Sequence, residues 1–133
     1  MISFSDAVVS DRLRALTRAL DADPAGGKLL IYGGVQPAPG ASASGALVIL
    51  NFPMPSLDNV TSSTLTLNEP PPAMVDVTGD ATWGRLTDGA GVWIADVTVG
   101  ATGSGAVIVI NSASTTIYAG AQLTVTVATL TEA

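Results

Sequence analysis

The chain has no cysteine and no histidine, and only five of its 133 residues are basic. The first absence excludes disulfide frameworks, thiolate metal sites and cysteine nucleophiles. The second removes the side chain most used as a general base and metal ligand near neutral pH. Charged residues make up 12% and aromatic residues 5%, against 47% hydrophobic. That balance excludes a charged disordered tail and a coiled coil, and 14 glycines without a triplet period exclude a collagen-like repeat. The length supports one domain, with a helix and turn over residues 1–27 and a β-sandwich over 28–133. Its longest apolar runs, residues 46–50 and 106–110, are far shorter than a membrane span. The first five residues lack the basic and apolar regions of a signal peptide, so the expectation is synthesis and retention in the cytoplasm.

The net charge of -6 is unevenly placed. Arg12, Arg14, Arg18 and Lys28 balance Asp6, Asp11, Asp21 and Asp23 near the start. Beyond them Asp58, Glu69, Asp76, Asp80, Asp88, Asp96 and Glu132 face Arg85 alone. Affinity for nucleic acid and for anionic lipid rests on Lys and Arg, so neither is an expected partner.

Val9, Leu13, Leu16 and Leu20 recur at helical spacing, which predicts a helix over residues 5–20 with one narrow apolar stripe. Ser3 followed by Asp6 reads as a capping box, and Asp23-Pro24 with Gly26-Gly27 reads as the stop. After Lys28 the period changes. Short β-branched runs at 28–32, 46–52, 64–67, 74–78, 81–87, 92–99, 106–110, 115–118 and 123–130 are separated by turn residues. Strands without intervening helices predict a mainly β fold, an antiparallel β-sandwich or jelly roll with one N-terminal α-helix. The clearest hairpin signal is the turn at residues 88–91. Residues 33–45 form a small-residue loop, either a surface excursion or an arm that orders on a partner, and residues 70–72 form a stiff triple proline.

No constellation of reactive groups emerges. Asp76, Asp80 and Asp88 sit at strand ends and turns, where carboxylates bond their own backbone, and no alternating Asp pattern concentrates ligands for calcium. Serine and threonine hydroxyls have Lys28 as the only lysine to activate them. The glycines at 33–34 and 100–105 lack the Lys-Ser/Thr ending of a phosphate loop. An enzyme is therefore not expected, nor is any cofactor or metal. Tyr32, Trp83, Trp93 and Tyr118 are the residues a sugar-stacking platform would use, though core or interface anchors read the same way. Arg85 is expected to pair with Asp80 or Asp96, or with a carboxylate of another subunit.

The informative anomaly is apolar surplus. With a mean hydropathy of +0.48, runs 46–50 and 106–110 read apolar on both faces, and such strands must be covered twice. A second subunit or a larger assembly is the expected cover, with the N-terminal helix as the alternative.

Lys28-Leu29-Leu30-Ile31-Tyr32-Gly33-Gly34-Val35-Gln36-Pro37 after a short helix resembles the opening of small virion proteins of tailed bacteriophages. The stretch 81–88 with Gly91-Val92, Val99-Gly100, and 117–122 before a Thr/Val terminal strand is similar to that group's second half. The likeness covers most of the chain and brings no catalytic residues. It implies a capsid decoration (cement) protein on the outside of the phage head, made in the host cytoplasm. Its implied partners are the major capsid protein and further copies of itself. The candidate interface residues are Val9, Leu13, Leu16, Leu20, Val35, Pro37, Pro39 and Arg85. The alternative is a tail or head fibre module that binds a host surface glycan.

Overall fold

A computed structural model describes residues 3–61 and 63–131 of the chain. Met1, Ile2 and Glu132, which entered the reading of the leader and of the charge, lie outside the described residues.

The one helix among the described residues, α1 (Asp6–Leu20), has its cap two residues beyond the expected one. Ser5, not Ser3, is the N-cap: its extended backbone aims Oγ at the third helical amide, which Val8 donates at 3.3 Å. Asp6 in the first turn and Arg18 in the last complement the helix dipole. At the far end the Asp21 amide donates to the Thr17 carbonyl at 2.9 Å. The Asp21 carboxylate then accepts the Ser56 amide at 3.2 Å, tying the helix end to the chain entering the third strand. Gly27 passes so close to Leu20 that an added Cβ would lie 2.7 Å from its Cδ2, so only glycine fits there.

Among the described residues twelve strands follow: β1 (Lys28–Tyr32), β2 (Val48–Asn51), β3 (Leu57–Thr61), β4 (Thr64–Leu67), β5 (Ala73–Met74), β6 (Gly79–Asp80), β7 (Trp83–Thr87), β8 (Trp93–Gly100), β9 (Ile108–Ile110), β10 (Thr116–Ile117), β11 (Gln122–Leu123) and β12 (Val125–Thr131). Eight of them form one curled sheet in the order β2-β1-β7-β8-β9-β12-β4-β3. Two short ribbons, β10-β6 and β11-β5, complete a sandwich-like body. The fold is thus mainly β with one N-terminal helix.

The pairing is antiparallel except between β8 and β9, where Val99 lies beside Ile108 in parallel. An all-antiparallel sheet was the expectation. Parallel neighbours usually need a long crossover. Here residues 101–107 double back within a few small residues, with Gly103 and Gly105 at φ of +81° and +76°. Of the run expected as a strand at 74–78 only Met74 is in one, at the end of β5, because the Asp76 and Val77 amides turn away to the Leu47 carbonyl; β6 begins after the run, at Gly79. The edge strand β3 had no apolar alternation to announce it.

Alternation assigns the core. Leu29 and Ile31 of β1, Val48 and Leu50 of β2, and Leu86 of β7 turn inward with Val97, Val99, Ile108, Ile110 and Val125. Leu13 and Leu20 close this core from the helix side, with Val9 and Leu16 packed partly against it, and α1 rests on β3, β4 and β8. The helical stripe therefore faces its own sheet, where Leu13 and Leu20 are taken up within the chain while Val9 and Leu16 stay half-buried. Run 106–110 is likewise covered within the chain: Ile108, Val109 and Ile110 are all buried, since β9 is a central strand. Run 46–50 is not, for Ile49 on the edge strand β2 remains 42% exposed.

Candidate functional site

Register brings one polar and aromatic cluster together on the outer face of β1, β7 and β8. Tyr32 lies opposite Trp83, and Arg85 lies opposite Asp96 across the β7-β8 hairpin. A bulge on β8 beyond Leu86 sets Trp93 opposite Thr87 and so turns its indole toward Asp96. The hairpin itself closes on Asp88, whose carboxylate accepts the amides of Ala90 and Val92, both at 2.9 Å.

Asp96 is the hub of this cluster. It accepts Arg85 Nε at 2.8 Å and Arg85 Nη2 at 3.1 Å, a two-pronged charged bond between side chains only 10% and 3% exposed. Trp93 Nε1 donates to it at 3.1 Å, and the Gly40 amide at 3.4 Å. Four donors satisfy the carboxylate on every side. The Arg85 bond holds the Asp96 carboxyl below the usual carboxylate range against the opposing effect of burial, and the same bond raises the Arg85 guanidinium above its ordinary value. Arg85 also sits over the Trp83 ring at 5.4 Å, while Tyr32 stacks on Trp83 at 4.5 Å and 15°. Trp83 Nε1 is buried without a hydrogen-bond partner, so the ring is held by stacking and the cation, not by its polar end.

The small-residue loop is fastened across this cluster. The Thr82 hydroxyl donates to the Gly34 carbonyl at 2.6 Å, and Gly40 binds Asp96 while lying on the Trp93 ring. Gly40 takes φ +73°, and a Cβ there would stand 3.3 Å from Trp93 Cε3, so the close approach needs glycine. Of the expected interface residues in the loop, Val35 is 94% exposed, Pro39 is exposed and Pro37 is half-buried. Arg85 is not free for another subunit, because its buried charge is neutralised within the chain by Asp96.

The four aromatic residues do not form one platform. Tyr32 and Trp83 are buried, Trp93 is 44% exposed beside them, and Tyr118 is exposed in the ribbon region near β10. Among the described residues no group of three or more His, Cys, Asp or Glu could hold a metal ion. No helix of the described residues is long and apolar enough to cross a membrane.

Two concave surfaces flank β12. One, of about 610 Å³, runs between β12 and the loop at 102–106 and is lined by Val107, Val109 and Val127 with Thr102, Thr129 and Thr131. The other, of about 380 Å³, opens where β4 and β12 diverge, with Asp58 and Glu69 among its lining residues. Threonine, valine and alanine line most of both grooves. The cluster around Asp96 acts as a clamp: it joins hairpin, loop and aromatic stack, and its charges are already spent on one another. The sequence pointed to Asp96 as one of two partners for Arg85. It held no signal for the part played by Gly40, because a glycine among other small residues does not announce what it lies on.

Comparison with protein-family models, with curated proteins and with solved structures finds no match to this chain.

Proposed function

We propose that the protein is a non-enzymatic structural subunit of a tailed-phage particle, a decoration protein on the exterior of the head that bridges neighbouring capsid subunits. The observation that carries this reading is the surface. Eleven large apolar side chains are exposed among the described residues, including Val35, Met74, Val92 and Tyr118 at more than 60%. A monomer of this size gains nothing in water from such a surface, whereas a tile gains by burying it. The acidic body agrees with a place outside the shell, away from packaged DNA. Many copies, each burying a modest apolar patch across a capsomer boundary, add up to a shell that is harder to open. The glycan-binding alternative needed an open aromatic surface, but Tyr32 and Trp83 are buried and Tyr118 lies apart, which leaves Trp93 alone to support it.

The test is the particle itself. Mass spectrometry of purified virions is expected to find the chain at the copy number of a shell component. Particles lacking it are expected to release DNA at lower temperature than the wild type. Absence from mature particles, or equal thermal release, would overturn the proposal.

A further inference from the structure

Tyr118, apart from the aromatic cluster, has a setting of its own. A concavity of about 320 Å³ opens between the end of β9 and the ribbon strands β10 and β11. That volume lies in the range that takes a small ligand. Val75, Ile117 and Leu123 line it and, being buried, give it an apolar floor. Asn111, Tyr118, Gln122 and Thr124 line it as well, and their side chains make no hydrogen bond to the other described residues. The neighbouring hydroxyls are already spent: Ser112 Oγ accepts the Ser114 amide at 3.2 Å, and Thr116 donates to Asp80 at 2.6 Å.

The backbone holds the unspent groups in place. Ala121 donates its amide to the Tyr118 carbonyl at 3.1 Å, closing a turn in which Gly120 takes φ +88°. Gly120 donates to the Val75 carbonyl at 2.9 Å, Val75 donates to the Ala121 carbonyl at 2.8 Å, and the Ala119 amide donates to the Thr78 hydroxyl at 2.9 Å. Gln122 is fixed opposite Met74 in the β11-β5 pair, and the Asn111 amide donates to the Thr124 carbonyl at 2.8 Å. Side chains carried on a scaffold already pinned lose little freedom when a ligand arrives.

The lining selects the chemistry. None of its residues is charged, so nothing in it would neutralise a phosphate, a carboxylate or an amine. A hydrocarbon would cover the side-chain amides of Asn111 and Gln122 and the Thr124 hydroxyl without pairing them. A neutral ring with hydroxyls on its edge and C–H groups on its face answers both conditions, because amides and hydroxyls each give and accept hydrogen bonds and Tyr118, 63% exposed, offers an aromatic surface. We infer that this concavity binds one neutral hexose unit of a glycan: Asn111, Gln122 and Thr124 hydrogen-bond its hydroxyls, and the Tyr118 ring lies against its C–H face. The fibre reading looked to the cluster around Trp93; this site uses other residues and does not rest on the chain's place in a particle.

The experiment is a titration of the full chain, isotopically labelled at its amide nitrogens, with glucose, galactose, mannose and N-acetylglucosamine, read as amide chemical shifts. Each sugar is taken to about 50 mM, which saturates a site with a millimolar dissociation constant. At least one of the four is expected to shift the amides of Asn111 and of residues 118–124 saturably. Tyr118→Ala is expected to weaken that sugar about tenfold, whereas Tyr118→Phe keeps the ring and is expected to stay within about twofold of the wild type. Should Tyr118→Ala fail to fold, Gln122→Ala, at an exposed position, carries the same expectation of weaker binding. Glucuronic acid is expected to bind more weakly than glucose, since nothing in the lining receives its carboxylate. No saturable shift with any of the four sugars overturns the inference, as does a folded Tyr118→Ala that binds like the wild type. Shifts centred on Trp93, or glucuronic acid bound as tightly as glucose, would overturn it too. The two proposals fail separately: a chain found on virions that binds no sugar sinks only this site, and a sugar-binding chain absent from virions sinks only the decoration role.

Discussion

Replacing Asp96 by alanine is the sharpest perturbation of the clamp. The substitution removes the acceptor of four hydrogen bonds and leaves the guanidinium of Arg85, whose side chain is 10% exposed, without its counter-charge. Breaking a buried pair from one side costs about 3–5 kcal/mol, because the surviving charge stays desolvated. A domain of this kind has only about 5–15 kcal/mol of stability in all. With an unfolding entropy of about 2 cal/mol/K per residue, that loss lowers the melting temperature by roughly 10–18 °C. Urea unfolding followed by tryptophan fluorescence suits the purpose, since both tryptophans lie in the cluster. The double replacement Arg85→Met with Asp96→Leu removes the charge along with its partner and is expected to recover at least half of the loss. The pH dependence has a definite sign. Asp96 is held below its unfolded value, so its contribution is complete above about pH 4 and disappears as the pH falls through the folded value. The wild type is therefore expected to lose stability more steeply than Asp96→Ala on the acid side. A single-mutant cost under about 1 kcal/mol, or parallel acid limbs, would refute the reasoning, since pairs of no structural consequence behave that way.

Two further perturbations test the packing that the clamp and the helix depend on. Leu20→Ala empties a fully buried position between α1 and the sheet and is expected to cost about 2–5 kcal/mol in urea unfolding; a cost below 1 kcal/mol would place the helix off the core. Gly40→Ala puts a side chain at φ +73° against Trp93, with an expected cost of about 1–2 kcal/mol and a shift in Trp93 emission. An unchanged emission spectrum would mean that the loop does not lie on the ring.

What could be read from the chain, and what could not, follows from how local each cause was. The helix was legible because Val9, Leu13, Leu16 and Leu20 carry their period within the segment, and β1 and β4 because their runs are bounded by turn residues. The Arg85-Asp96 pair was legible as one of two choices because a hairpin turn fixes which residues lie opposite one another, and the turn at 88–91 stands in the sequence. The cap shifted from Ser3 to Ser5 because both serines offer the same oxygen and only the backbone path decides which one reaches a free amide. The edge strand β3 and the parallel step from β8 to β9 depend on distant neighbours: Leu57–Thr61 is a strand because β4 pairs with it, and Ile108 runs beside Val99 because a glycine-rich loop doubles back. The same reasoning redistributes the apolar surplus. What looked like two strands needing outside cover is one central strand, β9, covered by its own neighbours, and one edge strand, β2, that is not. Strand order, which no local pattern encodes, decides which of the two apolar runs is covered on both faces within the chain and which keeps an exposed side chain, Ile49.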